Sequence, residues 1–258
     1  MIESGYMHPF DAILFDLGGT LIHFQGHWPE VVAQSDGVLI RELNRAGFQV
    51  GEDFLLEYRA RLDAYYEERE AEFVEVTTLY LLQQLLTEYG FQGLQEADLR
   101  PALDAAYAVS QAHWQPEPDA LYTLQTLSSQ GYLLGLISNA ADDQDVQILV
   151  DKIGARPYLD AIQTSAATGI RKPNPDIFLE VLAKWGLPAK RAAMVGDTLG
   201  ADVLGAQNAG MYSIWITRRA VTPANSAHQE TIHPDAKIST LMELLELLER
   251  LQREDEVP

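Results

Sequence analysis

The 258-residue chain contains no cysteine, which excludes disulfides, thiolate catalysis and cysteine-ligated zinc. Cations are scarce: 18 Lys and Arg stand against 38 Asp and Glu, a formal net charge of −20. That surplus opposes binding to nucleic acid or to an anionic membrane surface. A small anionic substrate would need local positive groups or a metal ion. No lysine precedes Lys152. The apolar runs fall short of the roughly 20 residues of a membrane span, and Met1-Ile2-Glu3-Ser4-Gly5 has no basic stretch leading into an apolar one. A soluble, cytoplasmic protein is expected. The length accommodates one large α/β domain or a core with a smaller inserted domain.

What is present begins with Ala12-Ile13-Leu14-Phe15-Asp16-Leu17-Gly18-Gly19-Thr20-Leu21. An apolar run of this length bounded by glycines reads as a buried parallel strand. Asp16 then stands at its carboxyl end, the edge at which open α/β sheets bind ligands. The stretch 21–26 is short and partly apolar and reads as a small hairpin beside that edge.

From residue 28 to 114 the texture is helical. Val31, Val32, Val38, Leu39 and Leu43 form one amphipathic stripe, and Phe54, Leu55, Tyr58, Leu62 and Tyr65 a second. Val76, Leu79, Leu82, Leu85 and Leu86 form a third, and Leu99, Leu103, Ala106, Tyr107 and Val109 a fourth. Tyr65, Tyr66 and Trp114 are candidates to face a substrate, although aromatics at helical spacing are more often core. Pro116-Glu117-Pro118 closes the region. Beyond it strands are expected at 132–137, 161–164, 192–195 and 212–217, alternating with helices that end in an amphipathic one at 240–251. Such alternation predicts a doubly wound parallel sheet. The acidic tail 254–258 is expected to fray. The predicted organisation is a Rossmann-like α/β core at 8–26 and 115–258, with a four-helix cap at 27–114.

Four polar signals follow strand ends: Asp16 and Thr20, Ser138-Asn139, Lys172 in Gly169-Ile170-Arg171-Lys172-Pro173-Asn174-Pro175, and Asp197 and Asp202 in Gly196-Asp197-Thr198-Leu199-Gly200-Ala201-Asp202. In order and spacing the chain resembles the haloacid dehalogenase-like (HAD) superfamily, in the subgroup with a helical cap inserted after the first strand. The resemblance implies phosphoryl transfer to a nucleophilic Asp16, with Lys172 neutralising both anions. It implies substrate contacts from Thr20, Ser138 and Asn139, and magnesium held by Asp16, Asp197 and the backbone carbonyl of Gly18, with Asp202 behind them or reaching the ion through water. The expected partner is a small phosphorylated metabolite, with no nucleic acid and no membrane.

Most phosphatases of that superfamily carry a second aspartate two residues after the nucleophile as general acid and base. This chain has Gly18 there. A positioned acid or base contributes roughly 10²- to 10⁴-fold, so both halves of the reaction lose it. His23 is the nearest candidate replacement. Phosphonatases share a small residue at this place but use a cap lysine, which this chain lacks. Dehalogenases work without metal and carry a bulky aromatic side chain near position 18 together with a halide cradle, for which Arg41 or Arg45 are the candidates; Gly18 is not aromatic and the second carboxylate at Asp202 follows the phosphatase pattern, so dehalogenation is disfavoured. Three readings follow: a magnesium-dependent phosphatase or phosphotransferase, a phosphate-binding or regulatory protein whose chemistry has weakened, and a haloacid dehalogenase.

Overall fold

The first strand, β1 (Ala12–Phe15), is buried along its whole length and sits third in a six-stranded sheet. In a computed structural model describing residues 8–255, the order is β5 (Ala161–Thr164), β4 (Leu133–Ser138), β1, β6 (Ala192–Gly196), β7 (Tyr212–Ile216) and β8 (Ala236–Ile238), every pairing parallel. Side chains of β1 alternate between two layers. Ile13 and Phe15 join one apolar cluster with residues of α5 (Ala120–Ser129), α6 (Asp143–Lys152) and α11 (Leu241–Asp255). Ala12 and Leu14 join another with α8 (Asp176–Trp185) and α9 (Leu204–Ala209). The period-two alternation covered on both faces is what a doubly wound sheet requires.

The four predicted stripes are α1 (Trp28–Arg45), α2 (Glu52–Glu72), α3 (Thr78–Glu88) and α4 (Glu96–Gln111). Leu39, Leu43, Phe54, Leu82, Leu85 and Leu99 belong to a hydrophobic cluster drawn from these helices and their linkers. Val76 lies outside α3, because the Thr77 hydroxyl accepts from the Tyr80 N–H and starts the helix there. Two short helices, α7 (Ser165–Thr168) and α10 (Pro223–Ser226), complete the chain with β8, none of which its sequence signalled.

The expected local hairpin at 21–26 is replaced by a ribbon. β2 (Ile22–Phe24) pairs antiparallel with β3 (Trp114–Pro116), Phe24 opposite Trp114. The strand that leaves the sheet thus pairs with the strand that returns, and the helical region hangs from this ribbon. α11 continues through Asp255, so the start of the acidic tail is helical. Residues 1–5 and the last three of that tail lie outside the described residues. No helix among the described residues is long and apolar enough to cross a membrane.

Candidate active site

Asp16 follows β1, and its loop is tied down by the Leu17 carbonyl, which accepts from the N–H groups of Thr20, Leu21 and Ile22. Gly19 takes a φ of 83°, and a Cβ there would collide with the Asp197 carboxylate. At the end of β6, a Cβ on Gly196 would strike Asp202. Both glycines let carboxylates from two loops close on one point. The result is a buried group, Asp16, Asp197 and Asp202, with one oxygen from each within 4.8 Å of the others.

Lys172 is the cation in their midst. Its ammonium donates to Asp16 Oδ1, Asp202 Oδ1 and the Ile137 carbonyl, each at 2.7 Å, using all three of its protons. Burial acts to lower its pKa, but the charges of Asp16 and Asp202 raise it above its ordinary value. One ammonium does not balance three carboxylates. Burial first, and then the Asp202 charge working against Lys172, pushes Asp16 up to about 6. Burial followed by the charges of Asp16 and Asp202 pushes Asp197 to about 8. An all-oxygen donor set carrying surplus negative charge fits a hard divalent cation.

Two residues expected at the site are placed otherwise: Asn139 serves another residue, and the Thr20 hydroxyl is buried without a hydrogen-bond partner among the described residues. Asn139 clamps the Lys172 backbone, accepting from its N–H at 2.9 Å and donating to its carbonyl at 3.0 Å; its amide is committed to placing the lysine, although the residue also borders the cavity. Thr20, expected at the substrate, is fully buried and is not among the residues lining the cavity, because the turn onto the Leu17 carbonyl carries it into the core. Asp202 also has both oxygens engaged, one by Lys172 and the other by the Thr198 N–H at 2.9 Å. Ser138 is buried at the end of β4 and does line the cavity.

The cavity over these groups measures about 930 Å³ and is walled by α1, α2 and α4 together with Trp114. The cap's α2–α3 linker reaches the core beside Lys172. Val74 bridges Ile170, the Glu75 N–H donates to the Gly169 carbonyl, and the Arg171 N–H donates to the Phe73 carbonyl. The fully buried Glu75 carboxylate accepts from Arg171, Ser165 and, at 2.6 Å, the Tyr65 hydroxyl. Tyr65 therefore serves this junction, whereas Tyr66 and Trp114 face the cavity.

Position 18 is not conformationally reserved for glycine, since its φ lies outside the left-handed region. A Cβ there would meet Cη2 of Trp114 at 3.5 Å. The indole is thus in ordinary van der Waals contact with the place a Cβ at position 18 would take. His23 is no substitute acid: it sits opposite Gln115, with Nδ1 3.3 Å from Glu117, and does not line the cavity. Arg41 and Arg45 pair with Glu42 on the exposed side of α1, away from it. Sequence reasoning missed Trp215 and Asn225, which donate to the Asp197 carbonyl at 2.8 Å each. Asn225 sits in the short helix α10, within a polar stretch of sequence, and carried no signal.

The sequence pattern of haloacid dehalogenase-like hydrolases matches residues 10–210. The chain belongs to this family. Among its relatives, a glyceraldehyde 3-phosphate phosphatase of Methanopyrus kandleri is 29% identical over 187 residues, covering 67% of this chain and 79% of that protein. Solved HAD structures include a 2-haloacid dehalogenase from Pseudomonas syringae, 26% identical at a TM-score of 0.63, over 93% of this chain and 99% of that one. A HAD phosphatase from Thermococcus onnurineus is 26% identical at 0.58, over 92% and 97%. These HAD neighbours span both chemistries under consideration, so the choice rests on the site.

Proposed function

We propose that this HAD hydrolase is a magnesium-dependent phosphatase or phosphotransferase acting on a small phosphorylated metabolite. The observation that carries the reading is the buried cluster of Asp16, Asp197 and Asp202, in which the one ammonium, that of Lys172, engages Asp16 and Asp202 and leaves Asp197 without a cation among the described residues. A metal-independent dehalogenase has no use for the extra buried carboxylate of Asp197, and isolated buried charge is costly. Residues 8–26 and 115–258 form the catalytic core in this reading, and 27–114 the cap.

Asp16 supplies the nucleophilic oxygen. Its attack forms an aspartyl-phosphate as the bond from phosphorus to the leaving oxygen breaks, and water then releases phosphate and regenerates Asp16. Lys172, fixed by Asn139 and Asp202, holds Asp16 ionised and faces the phosphoryl oxygens together with Ser138. Asp16, Asp197 and the Gly18 carbonyl would hold magnesium, which supplies charge neutralisation for the two anions. Asp202 orients Lys172 and the loop at Thr198.

The test is phosphate release from a panel of phosphorylated metabolites with and without magnesium, beside halide release from a haloacid. Magnesium-dependent phosphate release that is lost in Asp16→Asn is expected. Metal-independent halide release would replace this reading with dehalogenation, and ligand binding without turnover would replace it with a phosphate-binding protein.

A further inference from the structure

Building on the phosphohydrolase reading above, we propose that the substrate is an aryl phosphate, whose leaving group is an uncharged aromatic ring. Three observations converge on it. The first is the wall of the cavity. Trp28, Tyr66 and Phe73 are 51%, 40% and 37% exposed, and all three line the cavity. Large apolar surfaces left open around a polar floor mark a ligand-contacting wall. This wall is also preset: Phe24 stands edge-to-face with Trp28 at 4.9 Å and with Trp114 at 5.4 Å, so the two indoles share one support.

The second is charge. Among the described residues lining the cavity, every arginine is committed: Arg59 grips Asp36 through two nitrogens, and Arg171 pairs with buried Glu75. A second phosphate or a carboxylate on the leaving group would meet no uncommitted arginine or lysine there, with His228 as the one histidine on the wall, and would face Asp145, since Asp142 is already paired with Arg100. The leaving group that fits carries no charge.

The third is the proton. Gly18 offers no acid, and the nearest side chain to a Cβ built there is the Trp114 indole, at 3.5 Å, which carries no group able to protonate an alkoxide. As the Asp16–phosphorus bond forms, the oxygen–phosphorus bond to the leaving group breaks and its electron pair departs with that oxygen. A phenol ionises near pH 10, as tyrosine does, so an aryl oxide departs as a far weaker base than an alkoxide and takes its proton from water afterwards. The ring that the wall would stack is thus the ring that makes the missing acid dispensable.

The experiment compares kcat/KM of the full chain with magnesium for naphthyl phosphate, phenyl phosphate, cyclohexylmethyl phosphate, uridine monophosphate and acetyl phosphate. The two aryl esters should exceed the alkyl ester and the nucleotide by about 100-fold or more, the scale of a missing general acid. Naphthyl should exceed phenyl phosphate by about tenfold, expressed in KM, because the second ring buries more apolar surface. Acetyl phosphate, which leaves as a weak base but has no ring, should show a kcat like that of the aryl esters, since all form the same aspartyl-phosphate, and a high KM. Asp16→Asn, which cannot turn over, should bind naphthyl phosphate about tenfold more tightly than cyclohexylmethyl phosphate by calorimetry. Trp28→Ala, at a half-exposed position, should raise KM for naphthyl phosphate about fivefold more than for acetyl phosphate. If acetyl phosphate is hydrolysed through Asp16 while uridine monophosphate or the cyclohexylmethyl ester matches the aryl esters within tenfold, the aryl inference falls and the phosphohydrolase reading stands. If no ester and no acyl phosphate releases phosphate, both fall together.

Discussion

The floor of the cavity and its roof treat charge in opposite ways. On the floor, Asp16, Asp197 and Asp202 crowd together with Lys172 as the single cation, and burial, with the charge imbalance added to it, displaces the ionisation of the first two carboxylates upward. In the roof and at its junction with the core, Arg59 meets Asp36, Arg171 meets Glu75, and Arg100 meets Asp142. Unbalanced buried charge is costly unless a ligand completes it, which is why it marks chemistry. Paired charge satisfies itself, and what it does is lock one element to another.

The sharpest way to break this contrast is on the floor. Asp197→Asn removes a charged oxygen from the unbalanced group, so the magnesium concentration for half-maximal rate should rise by about tenfold or more. An unchanged magnesium titration would mean that Asp197 is not a ligand and that the surplus has another purpose. The next largest effect is expected at the junction. Glu75→Ala strands the Arg171 guanidinium in a buried site, at a cost of about 3–5 kcal/mol, or on the order of 10 °C in Tm for a chain of this size. Thermal unfolding should show a smaller loss for Glu75→Gln, whose amide oxygen keeps one acceptor for the two hydroxyls of Tyr65 and Ser165 and whose NH2 can donate to the other. A Tm unaffected by Glu75→Ala would show that the pair holds nothing.

The floor was legible in the sequence because parallel strands deliver their following loops to one edge whatever the details of packing. Asp16, Ser138, Lys172, Asp197 and Asp202 could therefore be brought together from strand order alone. What a side chain does after it arrives was less legible. Asn139 and Asp202 serve Lys172, and Thr20 turns inward, because hydrogen bonds only a few ångströms long decide these roles. The roof was legible as four helices but not as a surface. Phe24 and Trp114 are far apart in sequence and meet only because β2 and β3 pair, so nothing local placed an indole beside Gly18. Glu75 read as one more acidic residue in an acidic chain, and its burial against Arg171 depends on a two-residue bridge between cap and core.

Asp145 departs from the pattern, and the smallest expected effect is there. It lies on the cavity wall in α6 and is held by the Gln111 amide at 2.8 Å rather than by a cation. Burial, opposed by that hydrogen bond and aided by the Asp142 charge, pushes its carboxyl up to about 6. The folded protein therefore holds this proton more tightly than the unfolded chain. Stability is lost as the pH rises from about 4, where both states are protonated, through about 6, and the full penalty applies at neutral pH. Asp145→Asn keeps an oxygen for Gln111 and cannot ionise. It should stabilise the protein at neutral pH by about 1–3 kcal/mol, a rise of several degrees in Tm, and the gain should shrink through pH 6 and vanish near pH 4. A Tm difference that is negative at neutral pH, or flat across this range, would show that Asp145 is stabilised in its ionised form and that unbalanced charge on this wall carries no penalty.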